Sequence, residues 1–213
     1  MTTPSLSPSA ILSDLDGVLV DSAIAIEACW GAWARSHGID PAMLHGRIHG
    51  VRSTEVIRGV APHLDTPAEA AAVEDLVLNG PAAELLPGAT ELLSGAAGLP
   101  VAIVTSCPAP LADRRLRDAG LPAPRVLVTA DRVGAGKPDP EGYRLAATEL
   151  GVDAEACVVF EDAPAGIAAG RAAGATVIGI TTTHAADELL AAGATELAAS
   201  VAEALGLLVR VGR

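Results

Sequence analysis

A chain of 213 residues with 26 acidic against 14 basic side chains carries a formal net charge of −12, and no basic run interrupts it. That balance argues against nucleic acid and anionic membrane as partners, and an anionic ligand, if the chain handles one, must be held by a local site and not by the overall field. Half of the residues are apolar but only 2% are aromatic, so Ala, Leu and Val must build the core of one large domain or of a domain carrying an insertion.

The opening stretch MTTPSLSPSA lacks a basic segment followed by an apolar run, and no stretch approaches 18 uninterrupted apolar residues. The expectation is a cytoplasmic protein without signal or membrane span. Cys29, Cys107 and Cys157 match no metal-ligand spacing and read as reduced, packed thiols.

In chain order, AILSDL (10–15), VAIVT (101–105), RVLVT (125–129), CVVFED (157–162) and TVIGIT (176–181) read as buried strands. Helical patterns separate the later ones, most of them stopped by a glycine. The alternation predicts an α/β fold, a Rossmann-like parallel sheet with helices on both faces. Between the first two strands, residues 22–85 offer only helical patterns broken by turns, far more chain than a crossover needs. Residues 1–20 and 86–213 are therefore expected to form the core. Residues 21–85 are expected to form a small all-helical cap near the C-terminal sheet edge, where such sheets bind ligands. Trp30 and Trp33 are expected in the core of that cap.

Four strand ends carry polar groups. Asp14 and Asp16 follow the first strand, and an extended backbone would put both carboxylates on one side. Like charges so close need a cation or a shared proton. Gly17 lets the chain leave sharply; an ordinary strand exit is the plain alternative. Thr105 and Ser106 offer hydroxyls and N–H groups suited to a phosphate oxygen, or to a helix cap. Lys137, in GAGKPDP, is the only lysine beside 13 arginines. Pro138 and Pro140 stiffen its loop, and a compact point charge is implied instead of a planar fork. Glu161 and Asp162 precede a helix, as a cap or as ligands of Mg²⁺. Gly166 and Gly170 give that helix a smooth face for the sheet.

Taken in order, the Asp pair, Thr/Ser, Lys and acidic pair resemble the four signature motifs of the haloacid dehalogenase superfamily of phosphohydrolases, over residues 10–205. FEDAPAGIAAG, GKPDPEGY and HGVRSTEVI (49–57) resemble the subgroup with glycerol-phosphate, 2-deoxyglucose-6-phosphate and related sugar phosphatases. Ser13 stands where an aromatic is common in that family, and Val18 where Thr is common. The resemblance implies a Mg²⁺-dependent phosphatase for a small polyol or sugar phosphate. Asp14 would be the nucleophile and Asp16 the general acid and base. Asp14, the Asp16 carbonyl and Asp162 would hold the metal, with Glu161 as a further candidate. Thr105 and the Ser106 amide would hold phosphoryl oxygens, and Lys137 would contact both Asp14 and the phosphate. His49, Gly50 and Arg52 are the substrate-binding candidates of the cap, and a monomer is expected.

Two alternatives stand beside this reading. A β-phosphoglucomutase-like isomerase shares the motifs, but Ile26 replaces the histidine of those mutases and the cap holds no lysine. The other alternative is a non-catalytic phosphate- or metal-binding regulatory module. Removing the Lys137 side chain is expected to abolish turnover and spare the fold.

Overall fold

The computed structural model describes residues 8–95 and 97–209. Strand β1 (Ala10–Ser13) leads into β2 (Val20–Asp21), followed by helices α1 (Ala23–Ser36), α2 (Ser53–Val60) and α3 (Pro67–Leu78). Then come β3 (Glu84–Leu85), α4 (Ala89–Leu93), β4 (Val101–Val104), α5 (Ala109–Asp118) and β5 (Val126–Val128). The chain continues through α6 (Glu141–Leu150), β6 (Cys157–Glu161), α7 (Pro164–Ala172), β7 (Thr176–Ile180), α8 (Ala186–Ala191), β8 (Glu196–Ala198) and α9 (Val201–Val209).

Six strands form one parallel sheet in the order β5-β4-β1-β6-β7-β8. Period-two alternation sends Ala10, Leu12, Val104, Val159 and Val177 to one face, beneath Tyr143 of α6, Ile167 of α7 and Leu189 of α8. Ile11, Ile103, Val158, Phe160 and Ile178 take the other face, packed with Leu92 of α4, Leu116 of α5 and Ala204 of α9. Apolar side chains on both faces explain why the strands read as continuous apolar runs. The chain runs outward from β1 to one edge and then, from β6, to the other. Its switch point lies at the C-terminal end of β1, where a crevice opens.

Two features escaped the sequence reading. Strand β8 lies within an alanine-rich stretch and spans three residues, and its register against β7 decides its state (Ile178↔Glu196 to Ile180↔Ala198). Strands β2 and β3 make a two-residue antiparallel ladder, too short to show a period, where the helical segment leaves and rejoins the sheet. Helices α1–α3 pack around a separate cluster that includes Trp30, Trp33, Leu44, Ile57 and Val73. The two indoles meet edge to face with centroids 5.4 Å apart. Trp33 Nε1 donates to Glu69 Oε2 (3.0 Å), and Thr66 caps α3 by accepting from the Glu69 amide. Among the described residues, no helix is long and apolar enough to cross a membrane.

Candidate active site

Strand β1 ends at Ser13, so Asp14 and Asp16 lie beyond the pleat. The loop, and not strand alternation, brings the two carboxylates to one pocket. The Asp14 amide still donates to Phe160 O (3.0 Å), which anchors the nascent loop to β6. Asp14 Oδ1 accepts from the Leu15 amide (2.8 Å) and lies 3.0 Å from Lys137 Nζ. Gly17 then turns the chain at φ +78°, and a Cβ there would run into the Asp162 carboxylate. Asp16 is fastened elsewhere: its Oδ1 accepts from Ser22 Oγ (2.5 Å) and from Arg115 Nε (3.0 Å).

Lys137 is not a solvated loop charge. Its side chain is 5% exposed, and Nζ sits 2.6 Å from Glu161 Oε1 as well as 3.0 Å from Asp14 Oδ1. One compact ammonium reaches two carboxylates, a task for which a longer planar guanidinium is poorly shaped. Glu161 is fully buried at the end of β6. Its Oε1 also accepts from Tyr143 Oη (2.7 Å), and its Oε2 accepts from the amides of Asp162 and Ala163 (3.1 and 3.3 Å). Gly166 makes room for that carboxylate, since a Cβ there would overlap it, whereas Gly170 does face Val159 and Val177 of the sheet.

Burial pushes the Asp14 carboxyl up to about 7, with the Lys137 charge pulling the other way. Burial would lower Lys137, but Asp14 and Glu161 outweigh it and hold the ammonium well above its usual value. The expectation that the fold tolerates loss of this side chain is therefore revised. Removing it would leave two buried carboxylates without the cation they share.

Thr105 follows β4 and is buried; its amide donates to Val128 O (2.9 Å) and its Oγ1 accepts from the Cys107 amide (3.2 Å). Burial raises the Cys107 thiol well above its ordinary value, so it is a packed, protonated neighbour. Asp162 is 2% exposed; its Oδ2 accepts from Thr183 Oγ1, while Oδ1 is buried with no hydrogen-bond partner. Asp14, Glu161 and Asp162 can each place one oxygen within 4.8 Å of the others. An orphaned buried oxygen within an all-carboxylate set fits a hard divalent cation such as Mg²⁺. Glu161 already accepts two donors on each oxygen, which leaves Asp14 and Asp162 with the free ligand atoms.

The pocket beside Asp14 and Asp16 encloses about 540 Å³ of space not filled by atoms, including its open mouth. Thr105, Ser106 and Leu111 line it from the sheet side, and Ile26, Trp30, Gly50, Ser53, Glu74 and Val77 from the helical segment. Of the three cap candidates, only Gly50 borders it. Gly50 has φ +71°, a Cβ on it would lie 2.7 Å from that of Ala163, and its carbonyl accepts from Ser106 Oγ (2.9 Å). His49 turns to Glu27 (3.3 Å) and the His184 ring (centroids 6.1 Å apart), lining a neighbouring cavity. Arg52 donates to the carbonyls of Val133 (3.0 Å) and Gly134 (3.3 Å), which fastens the start of α2 to the loop that carries Lys137.

Sequence reasoning missed Ser22, Glu74, Arg115 and Tyr143. Arg115 left a readable trace, because Leu111, Ala112, Arg115 and Leu116 share one face of α5 at helical spacing. Glu74 lies between Val73 and Val77 in an alanine-rich helix whose weak periodicity conceals which face it takes.

A family model for haloacid dehalogenase-like hydrolases matches residues 8–174. The chain belongs to that family. It is 46% identical over 175 residues to hexitol phosphatase A of Escherichia coli (strain K12), covering 79% of this chain and 81% of that one. It is 37% identical over 216 residues to 2-deoxyglucose-6-phosphate phosphatase 2 of Saccharomyces cerevisiae, covering 90% of this chain and 87% of the other. A solved chain from Bacteroides vulgatus, provisionally assigned as a β-phosphoglucomutase, superposes with a TM-score of 0.81 at 30% identity, covering 97% of this chain and 91% of that one. With named phosphatases among its relatives, this member of the family is a phosphoric monoester hydrolase.

Proposed function

We propose that the protein is a Mg²⁺-dependent phosphatase that hydrolyses a small polyol or sugar phosphate through an aspartyl-phosphate on Asp14, with residues 21–85 acting as a specificity cap. The observation that carries this reading is the arrangement of the two carboxylates. Asp14 and Asp16 line one pocket with Thr105, and each is held through a single oxygen, by Lys137 and by Arg115 with Ser22.

In the first step Asp14 attacks phosphorus through one carboxylate oxygen while the ester P–O bond breaks. Asp16 gives its proton to the departing alcohol oxygen. In the second step Asp16 takes a proton from water as the water oxygen attacks the acyl phosphate and Asp14 is released. Lys137 keeps Asp14 aligned and balances charge as it accumulates on the phosphoryl oxygens, which Thr105 and the Ser106 amide would bind. Mg²⁺, held by Asp14, the Asp16 carbonyl and Asp162, would offset repulsion between the carboxylate and the phosphate dianion. Glu161, with both oxygens occupied, sets the position of Lys137.

The leaving-group side of the pocket is mostly apolar, with Ser53 and Glu74 as polar exceptions and no basic residue among the described ones. A hydroxylated, uncharged alcohol suits that lining better than a group bearing a second anion. The same kind of substrate is named for the hexitol and 2-deoxyglucose-6-phosphate phosphatases. Return of phosphate to a sugar, as in a mutase, needs a proton carrier on the cap side, and Ile26 lines the pocket instead.

The test is phosphate release from hexitol phosphates, 2-deoxyglucose 6-phosphate, glycerol phosphates and hexose phosphates, with Mg²⁺ and with chelator. Release that requires Mg²⁺ is expected. Hexose phosphate interconversion without release would support the mutase, and inactivity in both assays would contradict an enzyme for these esters.

A further inference from the structure

Arg115 is the largest fully buried side chain among the described residues, and its hydrogen bonding is incomplete. Nε donates to Asp16 Oδ1 at 3.0 Å, while both terminal nitrogens are buried without a partner. A guanidinium left so poorly satisfied is a costly way to fill space, and an apolar side chain of similar length would avoid the orphaned donors. Packing alone therefore does not account for an arginine at this position.

The cation supplies something an apolar residue cannot. Ser22 Oγ, 2.5 Å from the same Asp16 oxygen, approaches from the start of α1, and Arg115 approaches from α5. Two donors from different elements fix the plane of the carboxyl group through Oδ1. No hydrogen bond among the described residues reaches Oδ2, and Asp16 borders the pocket. Helix α5 also follows directly on the Thr105–Ser106 turn, so one element ties the phosphate-side turn to the group that handles the proton.

We propose that Arg115 is a positioning residue that holds Asp16 by one oxygen and leaves the other to exchange a proton with the ester oxygen. The inference rests on Asp16 being the general acid. Its distinguishing consequence is a dependence on the leaving group. A carboxyl aimed at the ester oxygen matters for an alkyl phosphate, whose alcohol must be protonated as the P–O bond breaks. It matters little for p-nitrophenyl phosphate, whose leaving group departs as a stable anion.

The experiment compares Arg115→Met and Arg115→Gln with the unaltered enzyme, reading kcat/KM, which covers steps through leaving-group departure. Substrates are p-nitrophenyl phosphate and the best alkyl phosphate of the panel. Gln carries an N–H donor at the position of Arg Nε, and Met has nearly the same shape without it. Arg115→Met is expected to lose about tenfold or more on the alkyl ester and less than about threefold on the aryl ester. Arg115→Gln, which keeps a donor for Asp16, is expected to recover much of the alkyl-ester activity that Arg115→Met loses.

Equal losses on both esters, or equal behaviour of Met and Gln, would assign Arg115 to structure and overturn the proposal. Asp16→Asn separates the underlying reading. If it shows no alkyl-selective loss, the acid role of Asp16 fails and the inference falls with it. If Asp16→Asn shows that loss and Arg115→Met does not, only the inference fails.

Discussion

The two sides of the pocket are built in opposite ways. On the sheet side, Asp14, Lys137, Glu161 and Asp162 are at most 5% exposed and interlocked by hydrogen bonds drawn from the ends of β1 and β6 and from the loop before α6. On the helical side, Ile26, Trp30 and Val77 are apolar, and Ser53 and Glu74 are the polar exceptions. Dense, buried polarity costs desolvation and tolerates no missing partner. A sparse apolar wall can change its shape by ordinary repacking. Under the proposed function the first kind of surface would serve the chemistry and the second the choice of substrate.

Substitutions on the sheet side should show the largest effects. Asp14→Asn is expected to reduce turnover by on the order of 10³-fold or more while the protein stays folded. Substantial remaining turnover would remove Asp14 from the nucleophile role. Lys137→Met should abolish turnover too, and in metal-free protein it should lower unfolding free energy by about 3–5 kcal/mol, measured by denaturant titration. Unchanged stability would mean that Asp14 and Glu161 do not rely on the ammonium as their geometry suggests. Gly17→Ala forces a left-handed backbone on alanine and pushes against Asp162. A loss of about 1–3 kcal/mol is expected, together with weaker Mg²⁺ activation.

On the helical side effects should be smaller and concern selection. Glu74→Lys is expected to raise the relative kcat/KM for esters bearing a second anion, such as phosphoglycolate, by roughly tenfold over a neutral polyol phosphate. No change in that ratio would place Glu74 outside the leaving-group contact. Burial raises the Glu74 carboxyl above its ordinary value. The folded chain thus retains that proton to higher pH than the unfolded chain does. The associated stability is complete below the ordinary carboxylate range and fades as pH climbs through the raised value. Glu74→Gln should gain stability relative to the unaltered protein between acid and neutral pH, modestly because the group is half-buried. The opposite slope in thermal melts would contradict this view of its surroundings.

The same contrast explains what could be read from the residues. Asp14, Thr105, Lys137 and Asp162 stand at the ends of apolar runs or in a proline-stiffened loop, so their placement follows from the sheet. Glu161 was ambiguous because an acid before a helix looks alike as cap, ligand or ion-pair partner; only the positions of Lys137 and Tyr143 show how its oxygens are engaged. Arg115 could be read only from its spacing to Leu111, Ala112 and Leu116, since DRRLRD by itself resembles a solvated helix face. His49 and Arg52 were visible as polar residues near a cap loop, but their partners, Glu27 and the Val133–Gly134 carbonyls, are 22 and about 80 positions away. Long-range partners and short strands such as β8 leave no local pattern.

The most direct test is to quench the enzyme with acid during turnover of an alkyl phosphate and determine by peptide mass which residue carries phosphoryl. The expected result is one phosphoryl group on the peptide containing Asp14, at Asp14 itself, and none in Asp14→Asn. Continued phosphate release by Asp14→Asn, or phosphoryl found on another side chain, would contradict the assignment of Asp14 as nucleophile.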